Sequence, residues 1–143
     1  MFIPAALALL GSVACGSGNA SPTPIGLVEL RVLLARDGVT TLAAVSGGSA
    51  CPGQALADNA LHLTVTVPSD PTPRDLYLYL FRARDFERTG ATMDACVAEL
   101  GAARPGQTIS RLDVAPYRAL GLDWSADLSR AVETALREAA PGG

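Results

Sequence analysis

Apolar residues occupy every second position from Leu61 to Val67, with His62, Thr64 and Thr66 between Leu61, Leu63, Val65 and Val67. That period, rich in β-branched side chains, predicts a strand with one buried face. Pro68 to Arg74 are turn formers, and a second strand is predicted from Asp75 to about Arg82. In the simplest register Val67 lies opposite Leu76, Val65 opposite Leu78 and Leu63 opposite Leu80, making one aliphatic core face. His62, Thr64 and Thr66 then lie beside Tyr77, Tyr79 and Phe81 on the other face, which suits either packing under a helix or contact with a partner.

Elsewhere the period is helical. Met93, Cys96, Val97 and Leu100 recur on one side of a helix expected from Thr92 to about Ala103. Leu128, Val132, Leu136 and Ala139 do the same in a last helix capped by Ser125 or Asp123, with Glu133 and Arg137 paired one turn apart. Leu27, Leu30 and Leu34 favour a helix ending at Gly38, although the same residues fit a strand that turns at Asp37-Gly38 into VTTLAAVS. Gly47 to Asn59 reads as a surface loop, Phe81 to Gly90 as a solvated strand exit, Thr108 to Val114 as a strand, and Ala115 to Trp124 as a loop packed on the core. The expected architecture is α+β: a mainly antiparallel sheet with helices packed on one face, in one small disulfide-stapled domain over residues 25–140. An all-β first half is the competing arrangement.

A chain of 143 residues, 49% hydrophobic, can build one such core and not two. Its net charge of −3 and lack of basic blocks argue against nucleic acid as a partner. All 11 basic residues are arginine, so neither a Schiff-base lysine nor a phosphate-loop lysine is present.

The first residues, MFIPAALALLGSVAC, combine an apolar run with small residues, the form of a secretory signal. Ser12-Val13-Ala14-Cys15 resembles the lipobox of bacterial lipoproteins, and the resemblance covers only these residues and the GSGNASPTP that follows. It implies a signal peptide over 1–14, lipidation of Cys15 and a tether over 15–24 that holds the domain to a membrane, in the periplasm or at the cell surface. Ordinary secretion, with cleavage after Ala20, is the alternative. Either route leaves Cys51 and Cys96 as an even pair, expected to be a structural disulfide rather than a redox couple or two buried thiols.

Candidate chemistry is sparse. His62 is the only histidine, and with no CxxC or HExxH motif neither a metal site nor a cofactor is expected. Ser49 in GGSACPG lacks the frame of a nucleophile elbow, and Asp58, Asp75, Asp85, Asp113 and Asp123 have no spacing that selects a catalytic pair. The expected function is non-enzymatic binding of an envelope protein or small ligand, with His62, Thr64, Thr66, Tyr77 and Tyr79 as the surface. A small extracytoplasmic enzyme using His62 with a nearby carboxylate is the alternative.

Overall fold

A computed structural model describes residues 24–141. The expected signal, Cys15 and all but the last residue of the expected tether lie outside the described residues. The elements run α1 (Leu27–Arg36), β1 (Thr40–Ser46), α2 (Gln54–Ala57), β2 (Ala60–Val67), β3 (Asp70–Leu80), α3 (Ala83–Arg88), α4 (Gly90–Ala103), β4 (Ile109–Val114), β5 (Tyr117–Leu122) and α5 (Ala126–Ala139). The strands form one sheet in the order β1-β2-β3-β5-β4, every neighbour antiparallel. The fold is therefore α+β with an antiparallel sheet.

The aliphatic face is core, as the alternation predicts. Leu61, Leu63, Val65 and Val67 of β2 and Leu76 and Leu78 of β3 are buried with Leu30 and Leu34 of α1 and Leu128, Val132 and Leu136 of α5. The region 25–37, open between helix and strand in the sequence, is helical. Its Leu30 and Leu34 lie one turn apart and are both fully buried. The Ser125 hydroxyl accepts from Leu128 N–H at 3.1 Å and starts α5, satisfying one of the free donors of the first turn.

A second, smaller layer covers part of the opposite face. Met93 and Cys96 of α4, Leu56 of α2 and Cys51 of the preceding loop enclose Ala60, Tyr79, Phe81 and Leu120. Helices thus flank the sheet on both sides: the α1/α5 layer on the aliphatic face, and a partial layer over β3 and β5. Cys51 and Cys96 are joined as a disulfide with Cα atoms 5.6 Å apart, which ties the loop before α2 to α4.

Three local expectations need correction. The hairpin turn is tight, and β3 begins at Asp70. Leu63 consequently faces Leu76 instead of Leu80, four residues earlier, and His62 faces Tyr77. The faces survive because the offset is even. Pro71 and Pro73 are tolerated since β5 pairs only with Leu76 to Leu80, leaving the start of β3 with a free side where no ladder donor is needed. Ala115 to Trp124 is not a loop but contains β5, a central strand buried from Tyr117 to Gly121. The predicted strand exit after Phe81 is the helix α3.

Candidate functional site: the open half of a sheet face

The strand order sets the site. α4 and the disulfide loop lie over the β3 and β5 side of one face and over Ala60 at the start of β2, while the rest of that face on β1 and β2, from His62 to Thr66, carries half-buried or exposed residues. Rows of cross-strand partners traverse this open half. Val45 of β1 faces His62 of β2, which faces Tyr77 of β3; beside them Ala43 faces Thr64 and Thr64 faces Asp75; at the far end Thr40 faces Thr66.

His62 and Tyr77 stack, with ring centroids 4.3 Å apart and planes 11° from parallel. Asp75, on the diagonal two residues from Tyr77, comes within 2.8 Å of His62, Oδ1 to Nε2. The contact fixes one side of the imidazole. Burial pushes the Tyr77 phenol above its ordinary value, and the Asp75 charge adds to the shift, so near neutral pH the hydroxyl is protonated and able to donate. Gly48 closes the end of this row: a Cβ there would fall 2.7 Å from the His62 Cβ, so the backbone of the disulfide loop lies directly against the histidine.

Of the five residues expected to form the surface, His62, Thr64, Thr66 and Tyr77 share this face and retain partial exposure. Tyr79 does not. It is fully buried beneath the disulfide loop, with its hydroxyl 3.1 Å from Ser49 Oγ and accepting from Ala50 N–H at 2.9 Å. Its ring runs parallel to Phe81, centroids 6.2 Å apart. Tyr79 is a structural post for the loop. The cover is α4 and the Cys51 loop, whereas the helix expected to threaten this face, α5, packs on the opposite side with Leu128, Val132 and Leu136.

Two contributors were missed by sequence reasoning. Asp75 was one of five undistinguished aspartates until the register placed it beside His62. Val45, 55% exposed, carries no sequence signal beyond that of a strand former, because its place in an edge strand is not revealed by a single sequence.

Enzyme geometry requires more than the His62–Asp75 pair. Ser49 is turned to Tyr79 and not to His62. A shallow cavity of about 380 Å³ lies elsewhere, lined by Asp37, Val67, Ser69, Asp127, Arg130 and Thr134 at the end of α1 and the start of α5. Its Asp127 is occupied by Ser69 and Arg130, bonds that hold the carboxyl below its ordinary value. Among the described residues no three His, Cys, Asp or Glu side chains gather as metal ligands.

Arg118 also has a structural explanation. Almost fully buried, it donates to Asp113 at 2.8 Å and to the Phe86 carbonyl, and its guanidinium lies 3.9 Å from the Phe86 ring centroid. This arrangement joins α3 to the β4–β5 hairpin.

No protein-family model, curated protein or solved structure matches the chain. The disulfide is compatible with an extracytoplasmic location, and among the described residues no helix is long and apolar enough to cross a membrane.

Proposed function

We propose that the chain is a lipid-anchored or secreted bacterial envelope domain whose task is binding, through the open face made by His62, Thr64, Thr66 and Tyr77, with Val45 at its edge. One observation carries this reading: half of a sheet face is covered to core standard by α4, while the other half presents a stacked histidine and tyrosine beside two threonines. Rings of this kind offer large contact area with few rotatable bonds, and the threonine hydroxyls add donors and acceptors. The partner is an envelope protein or a small ligand with an apolar or aromatic surface. The lipobox resemblance of Ser12 to Cys15 supports this reading, since lipidation there would place the domain where such partners are found.

Capture from native envelopes by the intact protein tests the proposal. Tyr77→Ala and Thr64→Arg are expected to reduce recovery of any specific partner at least tenfold, with far-UV dichroism unchanged. A partner recovered equally by both variants would place binding elsewhere.

The His62–Asp75 contact favours a second reading, in which an oriented imidazole serves as a general base. That reading requires a reaction, found by screening ester, amide and glycoside substrates, that His62→Gln abolishes while Tyr77→Ala weakens chiefly through KM.

A further inference from the structure

Four large apolar side chains stand more than half exposed among the described residues: Val28 and Val32, each 69%, Leu42 at 56% and Val45 at 55%. All four belong to α1 and β1, which pack against each other. β1 is also an edge of the sheet, so one side of its backbone has no ladder partner among the described residues.

The two edges of the sheet differ in chemistry. β4, the other edge, reads ISRLDV; its Arg111 pairs with Asp113 and with Asp94 of α4, and charges of this kind discourage strand addition. β1 reads TTLAAVS and contains neither a charge nor a proline. Its one irregularity is a bulge between Thr41 and Ala43, which confines the regular ladder to Ala43 through Ser46.

We propose that β1 is the seam of a homodimer, with Ala43 to Val45 pairing antiparallel against the same segment of a second copy and Ala44 meeting its own copy at the centre, so that two sheets become one and residues opposite each other share a face. Self-pairing explains the composition. About a two-fold axis a strand meets itself, and any charge near the centre would face its own like charge at close range. An uncharged strand with alanines at its middle avoids that repulsion and lets the backbones approach. An axis perpendicular to the sheet keeps like faces together, so the two α1 helices lie on one side of the seam, where Val28 and Val32, one turn apart, add apolar contact. On the other side, the two Val45–His62–Tyr77 rows become neighbours across the seam. The dimer stands independently of what that face binds.

The test uses the full chain carrying Cys15→Ser, which removes the cysteine outside the Cys51–Cys96 pair. In sedimentation at about 100 μM this protein is expected to be dimeric, while Ala44→Lys and Val45→Lys, both at exposed positions, are expected to be monomeric with unchanged far-UV dichroism. Ala44→Cys is expected to form an interchain disulfide on mild oxidation, because the seam brings the two Cα atoms within about 7 Å, and Ala102→Cys at the end of α4 is not. A monomeric parent, or a dimer that survives both lysines, overturns the proposal. Should the lysine variants fail to fold, absence of the Ala44→Cys cross-link overturns it by itself.

Discussion

Gly121 has no side chain because Trp124 occupies the space. A Cβ at this position would fall 1.9 Å from the indole Nε1 and 2.4 Å from the Asp75 carbonyl, and that indole N–H donates to the same carbonyl at 2.9 Å. Gly121→Ala must therefore displace the only tryptophan of the chain or part β5 from β3. The expected cost is about 2 kcal/mol or more, as in other overpacked interiors, read as a lower urea midpoint together with a red-shifted tryptophan emission. A variant with unchanged midpoint and emission would show that the indole does not lie over this strand. Charges at the surface act more weakly and in a defined pH window. The bond from Arg74 holds the Asp70 carboxyl below its ordinary 3.8, and bonds from Ser69 and Arg130 do the same for Asp127. Both groups release protons more readily folded than unfolded, so their contribution is present above the unfolded value and is lost as pH falls through the folded one. Acidification below about pH 4 is expected to lower the urea midpoint, and the double variant Asp70→Asn, Asp127→Asn to lose less over that interval.

At the scale of elements, legibility followed exposure. α5 could be read closely because its cap, its buried stripe and its Glu133–Arg137 pair all repeat on the helical period, and the structure retains each of them. β5 could not, because a strand enclosed on both faces loses alternation, and Pro116 and Gly121 disguise what remains as a loop. The hairpin was legible in its faces and not in its register, since prolines that mark a turn are equally at home on the unpaired start of β3. The candidate site inherited both outcomes: the Thr and Tyr face was visible, but the His62–Asp75 contact depends on register, and the loss of Tyr79 depends on a loop held in place by a disulfide. That disulfide carries its own prediction. Removing the Cys51–Cys96 link is expected to cost about 4 kcal/mol in the chain-entropy description. Because it joins the loop before α2 to α4 and neither cysteine lies in a strand, hydrogen exchange in Cys51→Ala, Cys96→Ala should accelerate in residues 47–59 and in α4 while β2 and β3 remain protected. Uniform acceleration across the sheet would show that the second layer does not open separately.

For the molecule as a whole, the ends of the domain meet at one corner. The Tyr117 hydroxyl donates to the Ile25 carbonyl at 2.6 Å and lies 3.3 Å from that of Ala139, clasping the entry to α1 and the end of α5 against β5. Residues 15–24, even if fully extended, span at most about 35 Å, so lipidation at Cys15 would keep this corner within that distance of the bilayer. A single acyl chain holds a protein to a membrane only marginally and reversibly, whereas the several chains implied by the lipobox resemblance hold it stably. The two cases differ in the fractionation they produce. If Cys15 is acylated, the wild-type chain is expected in the membrane fraction and in the detergent phase on phase separation, and Cys15→Ser is expected to leave the protein soluble or retain its leader uncleaved. A soluble wild-type protein whose mature sequence begins after Ala20 would assign ordinary secretion instead. The Cys51–Cys96 disulfide is expected in both cases, since either route takes the domain out of the reducing cytoplasm.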